Sequence, residues 1–308
     1  MDGLTTNSSE SDEEKQKIEQ LNNALKNPDT TVKLKALYSL PWDVGKWALQ
    51  PVIQALSDEN PGVRKEAADM LIHVGDKSAT EALVYALQDE DWHVAERAAV
   101  ALGQIKDERA VKPLVQVLEN KNKHEFLRAR VANALGKIGN PVSFEALLKV
   151  TQEENNDVAG SAYMALGRLG DERAFEILLK KAHHKTSWLR GHAVIGLGYF
   201  GDKRGFEPIV QALKYKKDSV ARADAATALG LLKDERAIEF LLQALKDEEP
   251  TVRGRAAEAL GEIGDEKVIV DLEEVAQTDK GITWDNVPIA KIALEAIEEI
   301  KSSLTQIN

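Results

Sequence analysis

One phrase of nine to ten residues recurs along this chain, and its spacing rules out most folds. It reads VRKEAADML from Val63, VAERAAVALG from Val94, LRARVANALG from Leu127 and VAGSAYMALG from Val158. It continues as LRGHAVIGLG from Leu189, ARADAATALG from Ala221 and VRGRAAEALG from Val252, with a weaker copy, VKLKALYSL, from Val32. The closing leucines are Leu40, Leu71, Leu102, Leu135, Leu166, Leu197, Leu229 and Leu260, spaced 31, 31, 33, 31, 31, 32 and 31 residues apart. So regular a period marks a repeat array, in which each unit buries its apolar side only against its neighbours.

Each unit reads as two helices. With the leading apolar residue counted as position 0, apolar or small residues fall at positions 0, 4, 5, 7 and 8, one stripe of a 3.6-residue period. A glycine follows the closing leucine at Gly103, Gly136, Gly167, Gly198, Gly230 and Gly261. Such a glycine suits a helix end, where positive φ carries no steric cost. A short turn follows, often Asp-Glu-Arg, as at residues 107–109, 171–173 and 234–236. The second helix repeats patterns such as AVKPLVQVL from Ala110 and AIEFLLQAL from Ala237. Pro51, Pro113 and Pro208 share one place near its start, where the first turn tolerates a missing N–H. An arginine at position 1 (Arg64, Arg128, Arg190, Arg222, Arg253) recurs with the Asp after the second glycine. The pair reads as a ladder of inter-repeat hydrogen bonds and ion pairs, interrupted at Ala95 and Ala159.

The expected fold is all-α: a right-handed α–α superhelix of about eight helical-hairpin repeats of roughly 31 residues, closed by helical caps. Residues 1–12 read as a disordered acidic tail and 13–303 as a single solenoid. Within it the pattern predicts a cap helix over 13–26, repeats over 28–276, a longer loop over 277–286 and a cap helix over 287–303. Residues 304–308 form a tail. Trp42 and Trp47 are expected to seal the first repeat, and Trp284 the far end.

Composition excludes several functions. The net charge is −11, with five acidic residues among the first fourteen. A mildly acidic surface argues against nucleic acid, which needs clustered Lys and Arg. Lys214, Lys216 and Lys217 form one short basic run, which reads as a solvated turn. With no cysteine, disulfides, thiolate metal sites and thiol nucleophiles are excluded, and a cytoplasmic location is expected. The polar, acidic start is not expected to act as a signal peptide, and the sequence has no run of about 18 apolar residues of the kind that crosses a membrane.

The phrases V-R-x-x-A-A-x-A-L-G, G-D-x-R and A-x-x-x-L-x-x-A-L resemble the HEAT-like repeat of the phycobilisome-lyase type over roughly residues 28–276. The resemblance implies a HEAT-like solenoid whose phrase helices face the concave, ligand-binding side. Its relatives include bilin lyases, deoxyhypusine hydroxylase and interaction scaffolds. The hydroxylase places His-Glu pairs at positions 2 and 3 to hold two irons. Here those positions carry Lys65-Glu66, Glu96-Arg97, Ala129-Arg130, Gly160-Ser161, Gly191-His192, Ala223-Asp224 and Gly254-Arg255, so that chemistry is not expected.

Positions −2, −1, 2, 3, 6 and 10 are free of packing duty, and their content changes along the chain. The end repeats carry ordinary charge there. The middle carries Arg130 and Asn133, then Gly160, Ser161, Met164 and Arg168, then Trp188, Gly191, His192, Ile195 and Tyr199. Trp92 and Glu96 extend the set on one side and Asp224 on the other. Glycines at exposed helix positions each cost about 1 kcal/mol against Ala. Beside large apolar residues they suggest a groove that admits and grips a ligand. The bland alternative is that neighbouring helices or a partner subunit cover these side chains, and that Trp92 packs on the adjacent repeat.

His192 is the best-placed acid or base, with Asp224 the nearest carboxylate at a matching position. His183 and His184 diverge too far on a helix to share a metal. No catalytic constellation and no cofactor are expected. The expected function is a non-enzymatic scaffold binding a protein partner on the concave face. The alternative is a bilin-lyase-like protein, with Arg130 or Arg168 meeting tetrapyrrole propionates and Trp188 stacking.

Overall fold

The apolar stripe of each phrase folds as one helix (A) and the segment after its turn as a second (B). The computed structural model describes residues 6–41 and 46–307, with side chains over 12–41 and 47–305. Residues 1–146 form one unit and residues 147–308 a second. The first holds α1 (Thr6–Leu25), α2 (Thr30–Tyr38), α3 (Leu49–Ala55), α4 (Pro61–Val74), α5 (Thr80–Ala86), α6 (Trp92–Ile105), α7 (Val111–Glu119) and α8 (Glu125–Ile138). Helix α9 (Phe144–Val150) crosses the boundary. The second holds α10 (Asn156–Leu169), α11 (Glu172–Lys181), α12 (Ser187–Phe200), α13 (Phe206–Leu213), α14 (Ser219–Leu232), α15 (Ile238–Ala244), α16 (Pro250–Ile263), α17 (Ile269–Thr278) and α18 (Ile289–Ile307). The even-numbered helices are the A type. The architecture is an all-α solenoid.

The closing leucines from Leu71 to Leu260 are completely buried, each contributing about 2 kcal/mol by leaving water. Pro51, Pro113 and Pro208 sit third in α3, α7 and α13, inside the first turn as expected.

Two assignments of the turn residues are corrected by the structure. The glycine after each closing leucine lies inside its A helix, one turn before the end. The helix end falls three residues later, where Gly75, Gly139, Gly170, Gly201 and Gly264 take positive φ and Lys106 and Lys233 do the same. The inner glycines serve close packing instead. A Cβ on Gly103 would sit 2.9 Å from the Cα of Ala134, and one on Gly261 would sit 2.8 Å from the Cβ of Ala296. Gly167 lies against the backbone carbonyl of Gly196. Helices α10 and α12 therefore touch backbone to backbone.

The second correction concerns the arginine ladder. The Asp after the second glycine is not its acceptor. Asp76, Asp107, Asp171, Asp202, Asp234 and Asp265 each accept the N–H two residues on, opening the B segment. Four of them also hold the following arginine, as in Arg109–Asp107 at 2.7 Å. In three repeats the position-1 arginine reaches a different aspartate, about 25 residues later in the next inter-repeat turn, whereas Arg128 Nε donates to the Leu118 carbonyl. Arg64 forks onto Asp89 at 2.7 and 2.8 Å, Arg222 onto Asp247 at 2.8 Å twice, and Arg253 onto Asp279 at 2.6 and 3.0 Å. The Nη1 of each donates to carbonyls of the preceding turn: Asp58 and Glu59, Tyr215 and Lys216, Asp247 and Glu248. Lys33 opens the series on Asp58 at 2.7 Å. Each of these three arginines thus staples two successive turns.

The ends also depart from expectation. Helix α1 starts at Thr6, so much of the expected disordered tail is helical, and residues 1–5 lie outside the described residues. Pairs one turn apart, Lys15–Asp12 and Lys17–Glu13, support this polar helix. At the other end α18 runs to Ile307, taking in most of the expected tail; Ile289, Ala293, Ala296 and Ile297 are buried beneath it as the stripe predicts. Trp284 does not seal that end: it is 56% exposed, and its backbone N–H donates to Thr251 Oγ1. Trp47 is half-buried; Trp42 lies outside the described residues.

Candidate binding site

In residues 147–308 the A helices stand side by side because small residues line their contacts. The exposed side of that row carries ten of the expected site residues. Trp188, at position −1, is 45% exposed. Met164, Arg168, His192, Ile195, Tyr199 and Asp224 are half-buried. Gly160, Ser161 and Gly191 are buried, contrary to the expectation of open helix positions. The cover of the two glycines comes from the next repeat. The His192 ring lies over Gly160, where a Cβ would sit 2.9 Å from its Cδ2. The Asp224 carboxylate lies over Gly191 in the same way. Position 2 of one helix is kept bare so that position 3 of its neighbour can lie flat across it.

This geometry sets the chemistry of both side chains. His192 Nδ1 lies 2.9 Å from the carbonyl of Trp188, one turn back. A carbonyl only accepts, so Nδ1 carries the proton and Nε2 is left as an acceptor. Burial lowers the His192 pKa from its usual 6.5, against a smaller opposing effect of the Trp188 carbonyl and the Asp157 charge. The Trp188 indole leans over it with ring centroids 4.5 Å apart. Asp224 has no hydrogen bond among the described residues, and burial raises its pKa to about 6 against the pull of Arg255. Arg255 itself pairs with Glu258 at 2.9 Å and Asp285 at 3.4 Å. At the far end of the row the Arg168 guanidinium stacks 3.8 Å above the Tyr199 ring.

No hydrogen bond or ion pair joins His192 to Asp224. His192 is held by the Trp188 carbonyl, and the two side chains are not within the roughly 2.6–3.2 Å of an acid–base couple. Among the described residues no group of three or more His, Asp or Glu is placed to hold a metal ion.

The remaining four expected residues lie in the first unit and form two contacts there. Arg130 Nε pairs with Glu96 at 2.9 Å. Trp92 is stacked between His93, at 3.8 Å, and His124 of the next repeat, at 4.0 Å, with Phe126 beyond. Trp92 therefore packs on the adjacent repeat. Asn133 is half-buried on α8. Sequence reasoning missed Phe126, which is 49% exposed at position −1, the column that singles out Trp188. It also missed Arg255, whose charge reaches Asp224.

A row of paired helices with small residues at their contacts, and an exposed face varying independently of them, defines a repeat-built helical protein. The HEAT repeats family matches over residues 18–84, 49–129, 80–167, 123–198, 178–243 and 206–283, and the chain belongs to it. No curated protein matches the chain. Among solved structures, the complex of CpcE and CpcF of phycocyanin lyase from Nostoc sp. PCC7120 is similar at 20% identity, covering 82% of this chain and 94% of that one, with a TM-score of 0.56. Kap95p, in a structure describing its binding to RanGDP, is similar at 13% identity over 92% of this chain and 47% of that one, with a TM-score of 0.53. Human deoxyhypusine hydroxylase aligns at 21% identity over 95% of this chain and 97% of that one, with a TM-score of 0.37. At these identities the likeness concerns the fold. No helix of the described residues is long and apolar enough to cross a membrane.

Proposed function

We propose that this chain is a non-enzymatic scaffold that binds a protein partner on the exposed face of helices α10, α12 and α14, the side the family resemblance makes concave. One observation carries the reading: Trp188 stands 45% exposed over a neutral His192, flanked by half-buried Ile195 and Tyr199, on positions that packing leaves free. Large aromatic side chains that expose apolar area and sit on a rigid helix are the usual anchors of protein interfaces. HEAT repeats and the partner-bound state of Kap95p support the same reading. A tetrapyrrole is less well served, since Arg130 is paired with Glu96 and Arg168 is stacked on Tyr199. The reading extends to a cytoplasmic location, supported by the cysteine-free sequence.

The test is affinity capture from the native host with the wild-type chain and a Trp188→Ala/Tyr199→Ala variant, read by mass spectrometry. Specific partners lost from the variant support the face. An unchanged partner set overturns it.

A further inference from the structure

The staple arginines sit in the walls of shallow notches between successive inter-repeat turns. Around Arg64 the notch is rimmed by Asp58, Asp89 and Glu90. Around Arg253 acidic and basic groups are mixed, with Asp271, Glu274 and Asp279 against Lys246 and Lys280. The notch at Arg190 has the opposite sign to the first. Lys185, Lys216 and Lys217 stand on its rim with His183 and His184, and Asp218 is its single carboxylate.

That carboxylate is already satisfied. Asp218 accepts from Ser187 Oγ at 2.6 Å, from the Ala221 N–H at 3.0 Å and from Arg190 Nη2. The three lysines are exposed and form no ion pair among the described residues. His184 Nδ1 accepts from the Thr186 N–H at 3.1 Å, so its Nε2 is the nitrogen left to donate. Arg190 also differs from the other staples. Its Nη1 is taken by the His184 carbonyl at 2.6 Å, and its buried Nε has no hydrogen-bond partner among the described residues. The forks of Arg64 and Arg222 close on an aspartate five positions ahead of the next phrase. Asp218 stands only three ahead, at the cap of α14, and meets Arg190 through Nη2 alone.

We propose that this notch binds a compact phosphoryl group. Three lysine point charges and a histidine donor from two turns line one open notch, which suits a multivalent tetrahedral anion. A planar carboxylate is best met by an arginine fork, and Arg190, the arginine lining this notch, already gives Nη1 to the His184 carbonyl and Nη2 to Asp218. The basic surface is also short. In the same unit it is flanked by Glu153, Glu154 and Asp157 on one side and Asp247, Glu248 and Glu249 on the other. An extended nucleic-acid backbone would run into these acids, whereas one phosphoryl group does not. The site lies on the turns and is independent of the helix face proposed above.

Isothermal titration of the full chain with inorganic pyrophosphate, and with a phosphoserine peptide and its unphosphorylated form, tests the site at constant ionic strength. Saturable binding is expected, weakened about tenfold or more by Lys216→Glu/Lys217→Glu. Lys246→Glu, in the equivalent turn of the next repeat, should leave it unchanged. Tighter binding of the phosphopeptide assigns the group to a partner protein, and tighter binding of pyrophosphate assigns it to a free ion; both uphold the site. No saturable binding of either probe overturns it. So does equal weakening by Lys246→Glu, or binding to a single-stranded oligonucleotide that strengthens with its length.

Discussion

The Asp224 carboxylate lies across the bare Cα of Gly191, on the helix of the preceding repeat. That one relationship explains both residues: the glycine makes room, and the close fit strips water from the acid.

It follows that Gly191→Ala should destabilise the fold despite the better helix propensity of alanine. Moving Asp224 aside is expected to cost about 1–2 kcal/mol after that gain. Gly167→Ala should cost more, about 3 kcal/mol, because its obstacle is the Gly196 carbonyl, part of a backbone that cannot rotate away. Urea unfolding of both variants checks the order, and the Gly191→Ala/Asp224→Ala double variant should recover the first loss.

The raised pKa of Asp224 has a definite pH signature. The folded state holds this proton up to about pH 6, whereas an unfolded Asp releases it near 3.8. Stability from this group is therefore undiminished below pH 3.8 and falls as the pH rises to about 6, by roughly 1–3 kcal/mol. His192 acts in the opposite sense: its lowered pKa makes the fold lose stability as the pH drops below 6.5. Asp224→Asn should leave stability unchanged at pH 3.5 and raise it at pH 8. Denaturant midpoints at the two pH values measure this.

The staples and the turn pairs should differ sharply in worth. Arg222 is 6% exposed and bonds Asp247 twice, so Arg222→Ala strips the half-buried Asp247 carboxylate of its cation and leaves it only the Glu249 N–H. A loss of about 3 kcal/mol is expected, because removing one member of a buried pair strands the other. Arg173→Ala removes an exposed partner of Asp171 and should barely move the unfolding midpoint. Parallel denaturation curves decide the comparison.

Trp188→Ala should separate binding from folding. The indole is 45% exposed and touches His192, so its loss should shift stability by no more than about 1 kcal/mol. Partner affinity should fall at least about tenfold if it is an interface anchor. Circular dichroism and a titration against the captured partner read the two effects.

The sequence by itself determined the repeat, the two helices per repeat, the buried leucines and the places of Pro51, Pro113 and Pro208. These depend on local period and propensity, which a single helix expresses alone. It also singled out Trp188, whose position is plain from counting. Only the tertiary structure decided what lies against each position. Gly103 and Gly167 read as helix ends until the neighbouring helix was seen pressing on them. The position-1 arginines read as partners of the nearest recurring Asp, yet Arg64, Arg222 and Arg253 reach Asp89, Asp247 and Asp279 in the next turn. Gly160 and Gly191 read as open surface, yet His192 and Asp224 cover them. In each case the deciding atom comes from a residue about 25–33 positions away, brought near by the stacking of repeats, so no local pattern in the chain could announce it.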